Sequence, residues 1–91
     1  MKGTEKQIAW AEKIKKALVT KFQSLENEFG PAPEIVKQYM DTELAHEEAK
    51  YFIDHWRFVT TAGFDLTKVF SEDCSDEIGD AAFEWEIKVE L

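Results

Sequence analysis

The feature that most constrains this chain is an apolar repeat that runs through its first third. Apolar side chains recur there at intervals of three and four residues, namely at Ile8, Ala11, Ile14, Leu18, Phe22, Leu25 and Phe29. Such spacing places all of them on one stripe of a helix roughly six to seven turns long. The sequence therefore predicts a helix over about residues 5–29 that must bury this stripe against the rest of the chain.

Both ends of this predicted helix carry local signals. Thr4 and Gln7 have the spacing of a capping box, in which each side chain satisfies a backbone donor of the other residue. Gly30 suits the left-handed position just beyond a helix, and the following prolines block its continuation. A short helix over about residues 34–40 is predicted to follow, because Pro33 is well suited to start one.

The segment from Thr42 to Thr61 has a helical pattern with two apolar faces. One stripe consists of Ala45, Ala49, Phe52, Trp56 and Val59, and a second, on nearly the opposite side, consists of Leu44, Tyr51 and Phe58. A helix that is apolar on two sides must be covered on two sides. We therefore predict a second long helix over about residues 42–61, with the N-terminal helix against its first stripe. Whether this helix is separate from the short one or continues it after a bend stays open.

The C-terminal third shows the alternation that is typical of a strand with one buried face. Apolar Phe83, Trp85, Ile87, Val89 and Leu91 alternate with polar Glu84, Glu86, Lys88 and Glu90. A strand needs a neighbour for its backbone groups. The sequence predicts a β-hairpin over about residues 66–70 and 83–90 that covers the second apolar face of the long helix. Pairing with the strand of a second copy, which would make a homodimer, is the alternative.

Length and composition set the predicted class, which is α+β and mostly α. A chain of 91 residues, 44% of them hydrophobic, is expected to form one domain over residues 1–91. No run approaches the roughly 20 apolar residues that span a bilayer, and no signal peptide is recognisable, so a cytoplasmic protein is expected. Cys74 is the only cysteine, which excludes an internal disulfide, and its acidic neighbours are expected to raise its pKa.

The net charge of −8 is distributed unevenly along the chain. Residues 1–40 carry seven lysines and five acidic residues, whereas residues 41–91 carry four basic and fourteen acidic residues. An acidic half repels phosphate backbones, so direct binding to nucleic acid is disfavoured. The acidic stretch over residues 71–80 is expected to be a solvated connection. Its charge suggests an alternative function, an inhibitor that imitates nucleic acid in the cleft of a DNA- or RNA-binding enzyme.

Two short blocks of the sequence are similar to a known group of proteins. Residues 3–14, GTEKQIAWAEKI, resemble the opening of a group of small, uncharacterised bacterial and phage-associated proteins. Residues 49–54, AKYFID, with Arg57, resemble the second block of that group, although an arginine there follows the aspartate sooner. The resemblance implies a bacterial or phage-associated protein and brings no activity, cofactor or site residue with it.

The sequence contains no recognisable catalytic set, so neither an enzyme nor a cofactor is predicted. Glu43 and His46 have the i, i+3 spacing of helix-borne metal ligands, which leaves a metal site at His46 as a second alternative. The favoured function is a non-catalytic module that binds another protein. Its candidate interaction residues are Trp10, Leu44, Tyr51, Arg57 and Phe58.

Overall fold

The computed structural model describes residues 1–87, and over this range all the named secondary-structure elements are helices. The elements are α1 (Glu5–Phe29), α2 (Glu34–Leu44), α3 (Ala49–Trp56), a 3-10 helix (Arg57–Thr60), α4 (Leu66–Glu72) and α5 (Asp76–Ile87). One isolated bridge between Lys2 and Glu48 is the only β pairing in the described part of the chain. The predicted α+β class is therefore wrong. Within residues 1–87, none of the helices combines the length and hydropathy that crossing a membrane requires.

The N-terminal helix is confirmed with its predicted boundaries. The backbone N–H of Gln7 donates to the Thr4 hydroxyl at 3.2 Å, and the Thr4 N–H donates to the Gln7 side-chain oxygen at 3.0 Å. Gly30, with a φ of 89°, ends the helix. The apolar stripe is buried at Ala11, Ile14, Leu18 and Phe22, where α3 and the 3-10 helix pack against it.

The predicted boundary between the second and third helices is wrong. Helix α2 runs past residues 40 and 41 to Leu44, so the helix predicted over 42–61 is divided among α2, α3 and the 3-10 helix. The break has a tertiary cause, because the backbone of Lys2 accepts from the N–H of Ala49 at 2.8 Å and donates to the carbonyl of Glu47 at 2.6 Å. Glu48 accordingly takes an extended conformation. Helical periodicity within one segment cannot reveal a contact with the other end of the chain.

The predicted C-terminal hairpin is also wrong, because residues 66–70 lie in α4 and residues 83–87 lie in α5. Residues 88–90 of that prediction lie outside the described residues. The apolar side chains of α5 that pack on the core follow helical spacing, at Ile78, Ala81, Ala82 and Trp85. Without a strand over residues 83–87, a homodimer formed through that strand also loses its basis.

Helices α4 and α5 pack against each other, and α5 also packs against α2. The Trp85 ring meets the rings of Phe22 and Phe29 edge-on, at centroid distances of 6.1 and 5.8 Å, and its indole N–H donates to the carbonyl of Gly30 at 3.0 Å. The acidic stretch predicted as a solvated connection belongs largely to the end of α4 and the start of α5. The pair of C-terminal helices therefore packs on α2, whereas Phe58, on the face that the predicted hairpin was expected to cover, is exposed.

Candidate functional site

A groove of about 510 Å³ opens between α2, α3 and α4. We call it the aromatic groove, because five aromatic side chains from these helices and their connections line it. Its lining residues are Tyr39, Glu43, Tyr51, His55, Trp56, Phe58, Phe64, Val69 and Asp73. The chain has two tyrosines, and both line this groove.

Glu43 is the central polar residue of the aromatic groove. The hydroxyl of Tyr51 donates to its carboxylate, with the two oxygens at 2.7 and 2.8 Å, and the indole N–H of Trp56 donates to Oε1 at 3.1 Å. The Glu43 side chain is only 13% exposed. It stands in the last turn of α2, where a negative charge is unfavourable beside the negative end of the helix dipole. Its charge therefore does not stabilise α2 through the dipole, and its hydrogen bonds instead join the end of α2 to α3.

Two histidine rings hold Tyr51 against Glu43. The His46 ring stacks on the Tyr51 ring at a centroid distance of 3.5 Å and an angle of 14°, and the His55 ring tilts against it at 4.4 Å. His46 Nε2 also lies 3.7 Å from Glu43 Oε2. Tyr51 is thus fixed both at its ring and at its hydroxyl, which makes this wall of the groove preorganised.

The hydroxyl and thiol groups in and beside the groove are protonated at neutral pH. Burial, followed by the hydrogen bond to Glu43 and the charge of Glu43, raises the pKa of Tyr51 to about 12. Burial, followed by the hydrogen bond to Cys74, raises the pKa of Tyr39 far above its ordinary value. Burial also raises the pKa of the Cys74 thiol, the charges of Asp73 and Glu43 add to this, and the hydrogen bond with Tyr39 opposes it. The predicted direction for Cys74 is confirmed, although burial and not acidity is the main cause.

These pKa values predict an unusual alkaline titration. No tyrosine absorbance at 295 nm should appear near pH 10, the ordinary range for tyrosine, because the folded state favours both protonated phenols. The stabilisation that the Tyr51 phenol provides is complete below its unfolded pKa near 10 and is lost as the pH rises toward about 12. We expect the absorbance and the loss of helical circular dichroism to rise together above about pH 11.

Spectrophotometric titration of the native protein checks this expectation. Glu43→Gln is the matched variant, since it keeps an acceptor for the Tyr51 hydroxyl but removes the charge, and it should lower the pKa of that phenol. A full equivalent of tyrosine that ionises near pH 10 in the folded wild-type protein would contradict the assignment.

The structure brings together some of the predicted interaction residues and separates others. Tyr51 and Phe58 line the aromatic groove, and the guanidinium of Arg57 lies 4.9 Å from the centroid of the Phe58 ring without lining the groove. Leu44 is half-buried and lines a separate depression beside the N-terminus. Trp10 is 47% exposed on α1. Phe58, predicted to lie on a covered face, is 58% exposed.

Several residues of the groove were missed by the sequence analysis. Tyr39, Phe64 and Asp73 come from α2 and from the segments at either end of α4, and no spacing along the chain connects them. Glu43 was considered only as a partner of His46. The one signal in the sequence was that Glu43 is an acidic residue near the C-terminus of a helix. A negative charge is unfavourable there, which indicates that the carboxylate has a partner outside the helix.

The pair that suggested a metal site does not extend to a ligand set. Glu43 and His46 are at ion-pair distance, as given above. Across residues 1–87, no group of three or more His, Cys, Asp or Glu side chains is arranged to hold a metal ion. The geometry around Glu43 is instead one of hydrogen bonds from aromatic residues.

Over residues 1–87 the fold is all-helical, and the groove combines aromatic walls with two carboxylates. Comparison of the chain with protein-family models, with curated protein sequences and with solved structures gives no match in any of the three. The function is therefore inferred from the chemistry of the groove.

Proposed function

We propose that this chain is a non-catalytic module of a bacterial or phage-associated system, active in the cytoplasm, that binds a partner protein in the aromatic groove. The observation that carries the proposal is Phe58, a large apolar side chain that is 58% exposed at a groove with aromatic walls. Binding energy at protein interfaces concentrates in aromatic residues that lose their contact with water when the partner docks. Phe58 fits this description.

The chemistry of the groove supports binding rather than catalysis. The tyrosine and cysteine side chains are held in their protonated forms, so none of them is an activated nucleophile. A volume of about 510 Å³ accommodates side chains of a partner segment. Because hydrogen bonds and ring contacts already fix Tyr51, little conformational entropy is lost when a partner binds there.

Phe58→Ser is expected to weaken binding of the partner by about tenfold or more, because an apolar anchor is lost. Phe83→Ser is the matched control, since Phe83 on α5 is 61% exposed and lies outside the aromatic groove. The partner is first recovered by affinity capture with the wild-type protein and identified. Its dissociation constant is then measured by calorimetry for the wild type and both variants.

The two variants give a clear decision. Binding that is lost in Phe58→Ser and unchanged within about twofold in Phe83→Ser supports the aromatic groove as the binding surface. Equal binding by Phe58→Ser and the wild type contradicts it. Circular dichroism of both variants controls for folding, and neither position is buried.

A second candidate function rests on the acidic surface of α5. Asp76, Glu77, Asp80 and Glu84 are exposed along this helix, and residues 76–87 contain no lysine or arginine. A row of carboxylates on one helix supports the hypothesis of an inhibitor that imitates a phosphate backbone. The same variants separate the two functions, because mimicry by α5 tolerates Phe58→Ser, whereas binding in the aromatic groove does not.

A further inference from the structure

We infer that the aromatic groove recognises a lysine or arginine side chain of its partner. This inference rests on the proposed function and adds the chemistry of the bound group. It follows from three properties of the groove, namely the negative charge of its lining, the exposed Phe58 ring among its aromatic residues and the hydrogen-bonding capacity left on Glu43.

The lining of the groove is negatively charged, and the nearby Arg57 lies over the Phe58 ring at the edge of the groove and is not paired with a carboxylate of the described residues. Glu43 and Asp73 are the acidic residues of its lining, and the lining contains no basic residue other than His55. Among residues 1–87, no nitrogen of a lysine or arginine lies within 4.0 Å of either carboxylate. A carboxylate that is largely shielded from water, as Glu43 is, attracts a cation more strongly than an exposed one, because the surrounding dielectric is lower.

The aromatic residues of the groove can contact both the charged end and the methylene groups of a lysine or arginine side chain. The faces of tyrosine, tryptophan and phenylalanine rings attract ammonium and guanidinium groups, and their apolar surface accepts methylene groups. The chain already shows one such contact at the edge of the groove, where the guanidinium of Arg57 lies over the Phe58 ring. The Tyr51 ring is already covered by two histidine rings and Trp56 is buried, so a cation from a partner would meet the exposed Phe58 ring together with the carboxylates.

Glu43 retains the capacity to accept a further hydrogen bond. Oε1 receives both the Trp56 indole and the Tyr51 hydroxyl, whereas Oε2 shares only the Tyr51 hydroxyl. His46 Nε2 is at 3.7 Å from Oε2, beyond hydrogen-bond length. An ionised carboxylate has about four acceptor positions, so an ammonium or guanidinium donor has a place to bind.

Other ligand classes fit the groove less well. An anionic group would face two carboxylates and be repelled. A purely apolar side chain would cover the aromatic walls but would bury the Glu43 charge further without a counter-ion, which is costly. A lysine or arginine side chain can pack its methylene groups on the aromatic rings and pair its charge with the carboxylates.

The inference is tested by titrating the labelled protein with three blocked tripeptides, acetyl-Gly-Lys-Gly-amide, acetyl-Gly-Arg-Gly-amide and the neutral acetyl-Gly-norleucine-Gly-amide. The readout is the indole N–H resonance of Trp56, because that group donates directly to Glu43. The lysine or arginine peptide is expected to shift this resonance with a dissociation constant on the order of millimolar. The indole resonances of Trp10 and Trp85 should stay in place. No shift with either basic peptide, or an equal shift with the norleucine peptide, overturns the inference.

Charge-neutral variants sharpen the test. Glu43→Gln keeps an acceptor for Tyr51 and Trp56 but removes the charge, and it should weaken binding of the basic peptide by about tenfold. Asp73 is exposed, so Asp73→Asn should leave the fold unchanged, and it should weaken binding of the basic peptide by about threefold. Glu72→Gln is the control, since it removes one charge next to Asp73 from outside the groove lining. Equal weakening by Glu72→Gln and Asp73→Asn would mean that only the net charge matters and would overturn the inference.

The same variants distinguish this inference from the proposed function. If Phe58→Ser loses the captured partner while Glu43→Gln and Asp73→Asn both bind it as the wild type does, the groove is the binding surface. The inference that it recognises a basic side chain is then wrong. If Phe58→Ser retains the partner, the proposed function itself fails, whatever the peptides do.

Discussion

Trp85→Ala is expected to lower the free energy of unfolding by about 3–5 kcal/mol, the usual loss for a large aromatic residue in a core. Trp85 is 4% exposed, and the substitution removes its contacts with Phe22 and Phe29 together with the hydrogen bond to the carbonyl of Gly30. Because a domain is typically stable by roughly 5–15 kcal/mol, the substitution removes a large fraction of the total stability.

Phe83→Ala is the control for this prediction, and urea denaturation is the measurement. Phe83 is two residues away and largely exposed in α5, so its truncation should change the free energy of unfolding by at most about 0.5 kcal/mol. A strand would place both residues on the same buried face, since side chains of a strand alternate with a period of two. Comparable losses for the two variants would therefore contradict the helical C-terminus.

Phe52→Ala is expected to have a similarly large effect, lowering the free energy of unfolding by about 3–5 kcal/mol. Phe52 is fully buried in α3, the helix that packs against α1. Its removal leaves a cavity between these two helices, and the surrounding side chains can fill such a cavity only in part. The loss of this packing should also loosen the neighbouring Tyr51 and hence the wall of the aromatic groove.

The variant Phe58→Ala is the control for Phe52→Ala. Phe58 lies six residues further along the chain and is exposed, so Phe58→Ala should change the free energy of unfolding by at most about 0.5 kcal/mol. Thermal and urea denaturation of the two variants give the comparison. A large loss at position 58 would mean that this side chain is needed for folding, and its exposure would no longer favour a role in binding.

The N-terminal helix could be predicted from the sequence because all its determinants are local. The capping box at Thr4, the apolar stripe and the stop at Gly30 lie within one continuous segment, and all three agree. The C-terminal helix was missed because the alternation that begins at Phe83 competes with a helical pattern that begins five residues earlier. That pattern, from Ile78 to Trp85, was available in the sequence and extends over two turns of α5.

Other errors have causes that the local sequence does not contain. The end of α2 depends on backbone hydrogen bonds from Lys2 to the segment before α3, and these join residues far apart in the chain. The aromatic groove likewise depends on how α2, α3 and α4 meet. Tyr51 and Phe58 could be selected as candidates from their apolar spacing, whereas the contact of Tyr51 with Glu43 requires the turn that returns α3 toward the end of α2.

The most direct test of the aromatic groove as the binding surface is photo-cross-linking to the captured partner. The variants Phe58→p-benzoylphenylalanine and Phe83→p-benzoylphenylalanine place the same reactive group at two equally exposed positions. We expect irradiation to cross-link the partner from position 58 and not from position 83, at a partner site next to a lysine or arginine. A cross-link from position 83 with none from position 58 would contradict the account.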